Sequence, residues 1–167
     1  MTFNPEDFLS LANEIFNGVD YKDARYRTTV SRAYYAAHLI SRKIFEEMGR
    51  KFEIENPKDK GKIHQMVIDE LIRVNEPTGV VLRNLRKIRD KADYDLDYNF
   101  KKKAVITLIG QAKDVINVMI NYKMERVEKD LGRKLTNLEY ENLVNRTFED
   151  ASRWAKEQSI IEGRRRK

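Results

Sequence analysis

The sequence predicts an all-α protein, folded as an antiparallel up-and-down helical bundle with an extra C-terminal helix. Three observations favour this fold class. Apolar residues recur at the spacing of one helix face over most of the chain, and no stretch of useful length alternates as a β-strand does. The 167 residues include only 7 Gly and 3 Pro, and these cluster at a few breakpoints between the apolar patterns.

Two helices are predicted before the first long loop. The first begins at the cap residue Asn4, with Pro5 in the first helical position, and stops near Gly18. The second is capped by Asp20 and ends at Gly49. We expect each helix to bury one apolar face, formed by Phe8, Leu11 and Ile15 in the first and by Tyr26, Val30, Ala33, Ala37, Ile40, Ile44 and Met48 in the second.

Three further helices are predicted after a polar loop over residues 50–61. The segment 75–79 contains Asn, Pro and Gly and is expected to break the chain between the third and fourth helices. The fourth helix leads into the acidic segment 93–97, and Asn99 is expected to cap a long fifth helix. Their apolar positions are Ile63, Met66, Val67 and Leu71, then Val81, Leu82, Leu85 and Ile88, then Ala104, Leu108, Val115, Met119 and Tyr122.

The chain changes character near its C-terminal end. Gly132 interrupts the pattern of the long helix, and Thr136-x-x-Glu139 has the form of a capping box that opens a last amphipathic helix. We therefore predict a helical bundle over residues 1–122 and a helical extension with a basic tail over residues 123–167.

Composition and charge narrow the class of protein. The net charge is +6, of which residues 164–167 alone supply +4, so that the body of the protein is only weakly basic. The absence of Cys excludes disulfide scaffolds, Cys-ligated zinc and thiol nucleophiles. No apolar run of about 18 residues and no secretory signal occur, so we expect a cytoplasmic protein with no membrane association.

No cofactor and no metal site are predicted. The chain contains no phosphate-binding glycine loop and no dinucleotide fingerprint. Its two histidines, His38 and His64, lie far apart in the sequence and in different predicted helices, without the spacing of metal ligands. We interpret His38 as a partly buried, hydrogen-bonded structural residue, whereas His64 is compatible with either a surface position or a site.

The strongest polar feature is a run of basic residues on the fourth predicted helix. Arg86 and Arg89 are three residues apart on one side of that helix, and Asp93 follows Arg89 by one turn. One interpretation is a solvated helix face with ion pairs between successive turns. The other is an anion site, because guanidinium groups match the geometry of phosphate. The run consists of Arg83, Arg86, Lys87, Arg89 and Lys91, with the single acid Asp90.

Two segments together resemble the HEPN superfamily. They are Ser31-Arg-Ala-Tyr-Tyr-Ala-Ala37 and Arg89-Asp-Lys-Ala-Asp-Tyr-Asp95, about 50 residues apart, and they resemble the branch with SRAYYA and R…ADYD signatures. The resemblance covers roughly residues 7–122. It implies a bundle of four to five helices that forms a homodimer, with one composite cleft between the two copies. Many members are metal-independent RNases that act as toxins beside a nucleotidyltransferase antitoxin, and others are defence proteins or non-catalytic binding modules.

The resemblance assigns roles to particular residues. The motif arginine is Arg89, and the position of the motif histidine, five residues later, is Tyr94. A tyrosine is a weak base at neutral pH because its ordinary pKa is about 10. Tyr94 is therefore a candidate hydrogen-bond donor or acid, and Asp93 or Asp95 is the candidate base. The predicted catalytic residues are Arg89, Tyr94 and Asp93; the predicted phosphate or RNA ligands are Arg86, Arg32 and Lys91; and the supporting residues are Asp90 and Asp95.

The leading hypothesis is a toxin-type, metal-independent endoribonuclease of a toxin–antitoxin or defence system, acting as a homodimer. A first alternative is a catalytically silent module that binds RNA or a nucleotide, which the replacement of the motif histidine by Tyr94 favours. A second alternative is a helical adaptor. Its last helix would dock a partner through Phe148 and Trp154, which lie outside the region of resemblance.

Overall fold

The described part of the chain consists of helices without strands. A computed structural model describes residues 5–19, 21–53 and 60–147, and the all-α class predicted from the sequence is confirmed there. The helices are α1 (Pro5–Asn17), α2 (Lys22–Glu47), α3 (Lys60–Val74), α4 (Glu76–Tyr94), α5 (Lys102–Leu131) and α6, which covers residues 137–147 within the described region.

Helix α2 lies at the centre of the bundle. It contacts α1, α3, α4 and α5, so its residues face neighbours on most sides. Three alanines on α2, Ala33, Ala36 and Ala37, are fully buried and allow the neighbouring helices to approach closely. The face predicted for this helix is confirmed, since Tyr26, Val30, Ala33, Ala37, Ile40 and Ile44 are all buried.

Several predicted helix ends are also confirmed. Helix α2 is followed by Gly49 and α5 by Gly132, both with the positive φ angles that favour glycine, +81° and +68°. The capping box before α6 is formed in both directions. The backbone N–H of Thr136 donates to Glu139 Oε2 at 2.8 Å, and the backbone N–H of Glu139 donates to Thr136 Oγ1 at 3.3 Å.

Other boundaries differ from the prediction. The predicted break over residues 75–79 is shorter in the structure, where Asn75 alone separates α3 from α4. Its Oδ1 accepts a hydrogen bond from Thr78 N at 3.1 Å and thereby caps α4. Asn99 does not cap α5, which begins after Lys101. Leu11 is 40% exposed, and the adjacent Ala12 takes the buried position on α1. The predicted caps Asn4 and Asp20, the side chains Phe148, Ala151 and Trp154, and the tail 164–167 lie outside the described residues.

Helices α3 and α4 form a hairpin whose register is fixed near both ends. Gly79, inside the first turns of α4, packs against the backbone of α3: a Cβ atom at this position would lie 2.6 Å from the Ile72 nitrogen. At the other end, Arg86 donates to the Gly61 carbonyl at 3.2 Å and to Gln65 Oε1 at 3.3 Å. This register sets the arginines of α4 opposite the first turns of α3.

The turn that follows α4 is held by one side chain of α2. The guanidinium of Arg27 donates to the carbonyl oxygens of Ala92, Asp95, Leu96 and Tyr98 at 2.8–3.0 Å. An arginine can serve so many acceptors because it carries five N–H donors in a planar fork. No local sequence pattern points to Arg27, because its partners lie more than 60 residues away along the chain.

The described part of the C-terminal extension packs on the bundle. Lys123 pairs with Glu47 at 2.7 Å and donates to Thr147 Oγ1 at 2.7 Å, which connects α5 with α2 and α6. Helix α5 runs without interruption through residue 122. The division into 1–122 and 123–167 therefore stays a prediction, with its boundary inside a helix. None of the described helices combines the length and the apolar character that a membrane span requires.

We predict that Gly79→Ala lowers the stability of the protein. The added methyl group would press on the backbone of α3, which cannot rotate away as a side chain can, and overpacking of this kind costs about 1–3 kcal/mol. The matched control is Gly110→Ala in α5, where no described atom, apart from the adjacent residues and the backbone of α5 itself, lies within 4 Å of the added group. That change should raise stability by roughly 0.5–1 kcal/mol, because Ala favours helix over Gly. Urea unfolding measures both, and equal effects of the two changes would contradict the packing described here.

Candidate functional site

Polar and aromatic side chains of three helices meet on one side of the bundle. We call this group the α2–α3–α4 cluster. It combines aromatic and imidazole rings from α2 and α3 with arginines and carboxylates from α4. Its members are Tyr34, Tyr35 and His38 of α2, His64 of α3, and Arg86, Arg89, Asp90 and Asp93 of α4.

Arg89 is held from three directions. Its Nη2 donates to Tyr35 Oη at 2.8 Å and pairs with Asp93 Oδ2 at 2.7 Å, while its Nη1 pairs with Asp90 Oδ1 at 3.1 Å. The side chain is only 18% exposed. Its Nε is buried and has no hydrogen-bond partner among the described residues. The arrangement fixes the guanidinium in place and compensates its charge with two carboxylates.

Tyr94, the last residue of α4, lies over the outer side of Arg89. Its ring centroid is 5.7 Å from the guanidinium carbon, and its side chain is 75% exposed. The ring of Tyr35 lies 5.1 Å from the same carbon on the inner side. The structure therefore brings together Arg89, Asp93 and Tyr94, the three residues predicted to be catalytic, at the C-terminal end of α4. We call this the open end of α4, because Tyr94 is exposed there.

Arg86, one turn earlier, faces α3 instead. Its two acceptors, the Gly61 carbonyl and the Gln65 side chain, are both neutral. No carboxylate among the described residues lies within ion-pair distance of it. Arg86, which is partly buried, therefore has hydrogen-bond partners but no carboxylate partner in the part of the chain that the structure describes.

His64 is the site residue that the sequence analysis left undecided. Its Nδ1 is 2.6 Å from Tyr34 Oη, and its ring stacks on His38 with centroids 4.1 Å apart. The ring of Tyr35 meets it edge-on at 6.0 Å. Burial, followed by the charges of Arg86 and Arg89, lowers the pKa of His64 to about 4, so the imidazole is neutral at pH 7. Its place in the cluster comes from the packing of α3 on α2 and α4, which no local sequence pattern reports.

The inner wall of the cluster is buried and uncharged. Burial raises the pKa of Tyr34, so its hydroxyl stays protonated. Burial and the neighbouring His64 hold the pKa of His38 well below its ordinary value. His38 is 2% exposed, and its Nδ1 has no hydrogen-bond partner in the described region. His38 is thus more deeply buried than the partly buried residue that we expected, and the predicted hydrogen bond is not formed at its Nδ1 with any described residue.

The remaining predicted site residues lie at the margins. Arg32 lies over the ring of Phe8, 4.8 Å from its centroid, and that ring is 6.2 Å from Tyr35. Arg32 thus contacts Phe8, whereas Tyr35 is the aromatic residue of α2 that contacts Arg89. Lys91 lies over Tyr98 at 4.8 Å, and Asp95 supplies a backbone carbonyl to Arg27. Lys91, in the last turn of α4, thus contacts the turn that follows the helix, Asp95 belongs to that turn, and neither makes a described contact with Arg89.

No group of three or more His, Asp or Glu side chains in the described residues is arranged to hold a metal ion.

The chain matches no protein-family model, and no solved structure matches it. It is similar to two uncharacterized proteins of Methanocaldococcus jannaschii. The first, MJ0628, is 26% identical over 154 residues, covering 78% of this chain and 93% of the relative. The second, MJ0992, is 28% identical over 120 residues, covering 62% and 67% respectively.

We predict that the protein loses stability in mild acid, because the pKa values of His38 and His64 are lowered in the folded state. Both have a lowered pKa in the folded protein, whereas an unfolded histidine titrates near 6.5. Below pH 6.5 the unfolded chain therefore binds more protons than the folded chain, and the free energy of unfolding falls as the pH drops from about 6.5 towards 4. Each histidine contributes a slope of up to about 1.4 kcal/mol per pH unit.

Urea unfolding at a series of pH values measures this slope. Carboxylates titrate in the lower part of the same range, so the comparison is made with His64→Gln, which removes one histidine and leaves the carboxylates. The variant should show a shallower slope than the wild type between pH 6.5 and the pKa of about 4. An unchanged slope would mean that the pKa of His64 in the folded protein is the same as in the unfolded chain.

Proposed function

We propose that the protein is an HEPN-like, metal-independent endoribonuclease of the toxin or defence type, which acts as a homodimer. The paired SRAYYA and R…ADYD segments support this proposal, and so does the helical bundle in which they meet. The observation that carries it is the anchoring of Arg89 by Tyr35, Asp90 and Asp93, beside the exposed ring of Tyr94. A guanidinium held in this way is preorganised to stabilise charge on a phosphate.

The chemistry assigned to this site is a transesterification of RNA. The Asp93 carboxylate takes the proton of a ribose 2′-hydroxyl, and the 2′-oxygen forms a bond to the adjacent phosphorus. Arg89 stabilises the negative charge that develops on the phosphoryl oxygens. The bond from phosphorus to the 5′-oxygen breaks, and that oxygen takes a proton from the Tyr94 hydroxyl or from water. The products are a 2′,3′-cyclic phosphate and a 5′-hydroxyl end.

The homodimer would place the open ends of two α4 helices beside each other. Tyr94 and Leu96 lie at this end and are 75% and 86% exposed, which supports burial in an interface. A nucleotidyltransferase antitoxin in the cytoplasm is the partner that the family resemblance suggests.

We predict that light scattering gives a mass close to twice the 19.8 kDa of the chain. Leu96→Asp should shift the protein towards the monomer, because it would bury a carboxylate next to its own copy. Leu138→Asp is the control. Leu138 is also exposed (67%), but it lies on α6, in the C-terminal extension and not beside the end of α4. A wild-type monomer would remove the composite cleft from the proposal, and equal effects of the two changes would place the interface elsewhere.

A catalytically silent RNA- or nucleotide-binding module is the second candidate. Two observations favour it: Tyr94 stands where the family has its histidine, and both Asp90 and Asp93 pair with Arg89. The helical adaptor depends on Phe148 and Trp154, which the structure does not describe, and it stays a prediction.

The proposed function predicts that Arg89→Ala lowers RNA cleavage by roughly 10²–10³, the usual effect of removing a preorganised charged donor. Arg83→Ala is the matched control on the same helix. Arg83 is more exposed and lies 4.0 Å from Asp69, so its loss should change activity little. Cleavage of a labelled RNA and RNA affinity are measured in parallel. Affinity that depends on Arg89 without any cleavage would favour the silent module, and equal values for all three proteins would contradict the site.

A further inference from the structure

We propose that Arg86 and His64 form a binding site for a tetrahedral oxyanion such as an RNA phosphate, and that binding of the anion favours the protonated form of His64. This site adds a second phosphate position to the cleft beside Arg89. The identity of the natural anion as an RNA phosphate rests on the proposed function, whereas the coupling between anion and proton does not.

The charge of Arg86 is the first reason. Arg89 has two carboxylate partners, but the described partners of Arg86 are only a backbone carbonyl and an amide oxygen. Hydrogen bonds from a guanidinium to neutral acceptors leave its charge in place, and an oxyanion is a stronger acceptor than either of them. Arg86 is therefore the arginine of the cluster that has most to gain from an incoming anion.

The position of His64 relative to Arg86 is the second reason. Both groups that Arg86 contacts, at residues 61 and 65, belong to the helical turn that carries His64. The imidazole is not sealed in the core as His38 is, since it is only partly buried. An anion on the open side of Arg86 would therefore also face His64.

The electrostatics of the imidazole link these two features. The charged and titratable groups that face His64 from α2 and α4 are mainly cationic or neutral, and among them Arg86 has the largest effect after burial. An anion beside Arg86 offsets this field, so the protonated form of His64 becomes more favourable. The groups are Tyr34, Tyr35, His38 and Arg42 of α2 and Arg86, Arg89 and Asp90 of α4.

The coupling has a reciprocal consequence. If the anion raises the pKa of His64, then protonation of His64 tightens anion binding by the same factor. A rise of about one pKa unit corresponds to roughly tenfold tighter binding to the protonated protein. In the proposed ribonuclease, the coupling would strengthen phosphate binding mainly in mild acid, because a pKa about one unit above 4 leaves the imidazole mostly neutral at pH 7.

NMR titration of the full chain tests the proposal. The sequence contains two His, so two imidazole Cε1–H signals are expected, and His64→Gln assigns them. The titration is made in sodium sulfate and in sodium chloride at equal ionic strength, because sulfate is a tetrahedral oxyanion that keeps its double charge across the titration range. In chloride, the pKa of His64 should be about 4. In sulfate, it should rise by about one unit.

Arg86→Gln gives the sharper result. Removing this charge should raise the pKa of His64 in chloride and abolish the further rise in sulfate, while Arg83→Gln should behave as the wild type. Arg86→Lys keeps the charge but loses the fork, so the pKa in chloride should stay low and the rise in sulfate should be smaller. It serves as the second variant if Arg86→Gln does not fold.

Two outcomes would overturn the proposal: no sulfate-dependent rise in the wild type, or a full rise in Arg86→Gln. The RNA cleavage assay separates this failure from that of the proposed function. A sulfate-dependent rise without RNA cleavage would keep the anion site and reject the ribonuclease. Cleavage that depends on Arg89 without a rise would keep the ribonuclease and reject the anion site.

Discussion

Two imidazoles and two guanidinium groups share one partly buried space, and the arrangement of the site depends on keeping the imidazoles neutral. His38 and His64 stack at 4.1 Å, and Arg86 and Arg89 are among the charges that lower the pKa of His64. A third and fourth positive charge there would face both desolvation and repulsion. The hydrogen bond to Tyr34 meets the polar requirement of the His64 ring without adding charge. The same constraint makes the cluster sensitive to any anion that changes the local field.

The fold holds this cluster in place through contacts outside it. The close approach at Gly79 and the bonds from Arg86 to the first turn of α3 fix how α3 and α4 align. Arg27 fixes the turn after α4 and hence the end of the helix that carries Tyr94. The central helix α2 supplies Tyr34 and Tyr35, two adjacent residues that point to different partners, so one helix positions both His64 and Arg89.

The sequence predicts what depends on neighbouring residues and misses what depends on packing between helices. The buried face of α2, the ends at Gly49 and Gly132 and the capping box of α6 follow from helical periodicity and local backbone preference. The Arg89–Asp93 pair follows from i,i+4 spacing on α4. The bond between Tyr34 and His64 joins residues 30 apart, and its existence depends on how α3 packs on α2. Asn is a favourable N-cap residue, but Asn99 does not cap α5, because the helix begins only after Lys101.

The ¹⁵N NMR signals of the His64 ring nitrogens at neutral pH report whether this imidazole is neutral and bonded to Tyr34 beside the two arginines. We expect one protonated and one unprotonated ring nitrogen, with Nδ1 engaged by the tyrosine hydroxyl, and a change at Nδ1 in Tyr34→Phe. The neutral form should persist as the pH is lowered through 6.5, where an ordinary histidine is half protonated. Protonation of both nitrogens of His64 by that pH would show that the folded protein does not hold this imidazole in its neutral form.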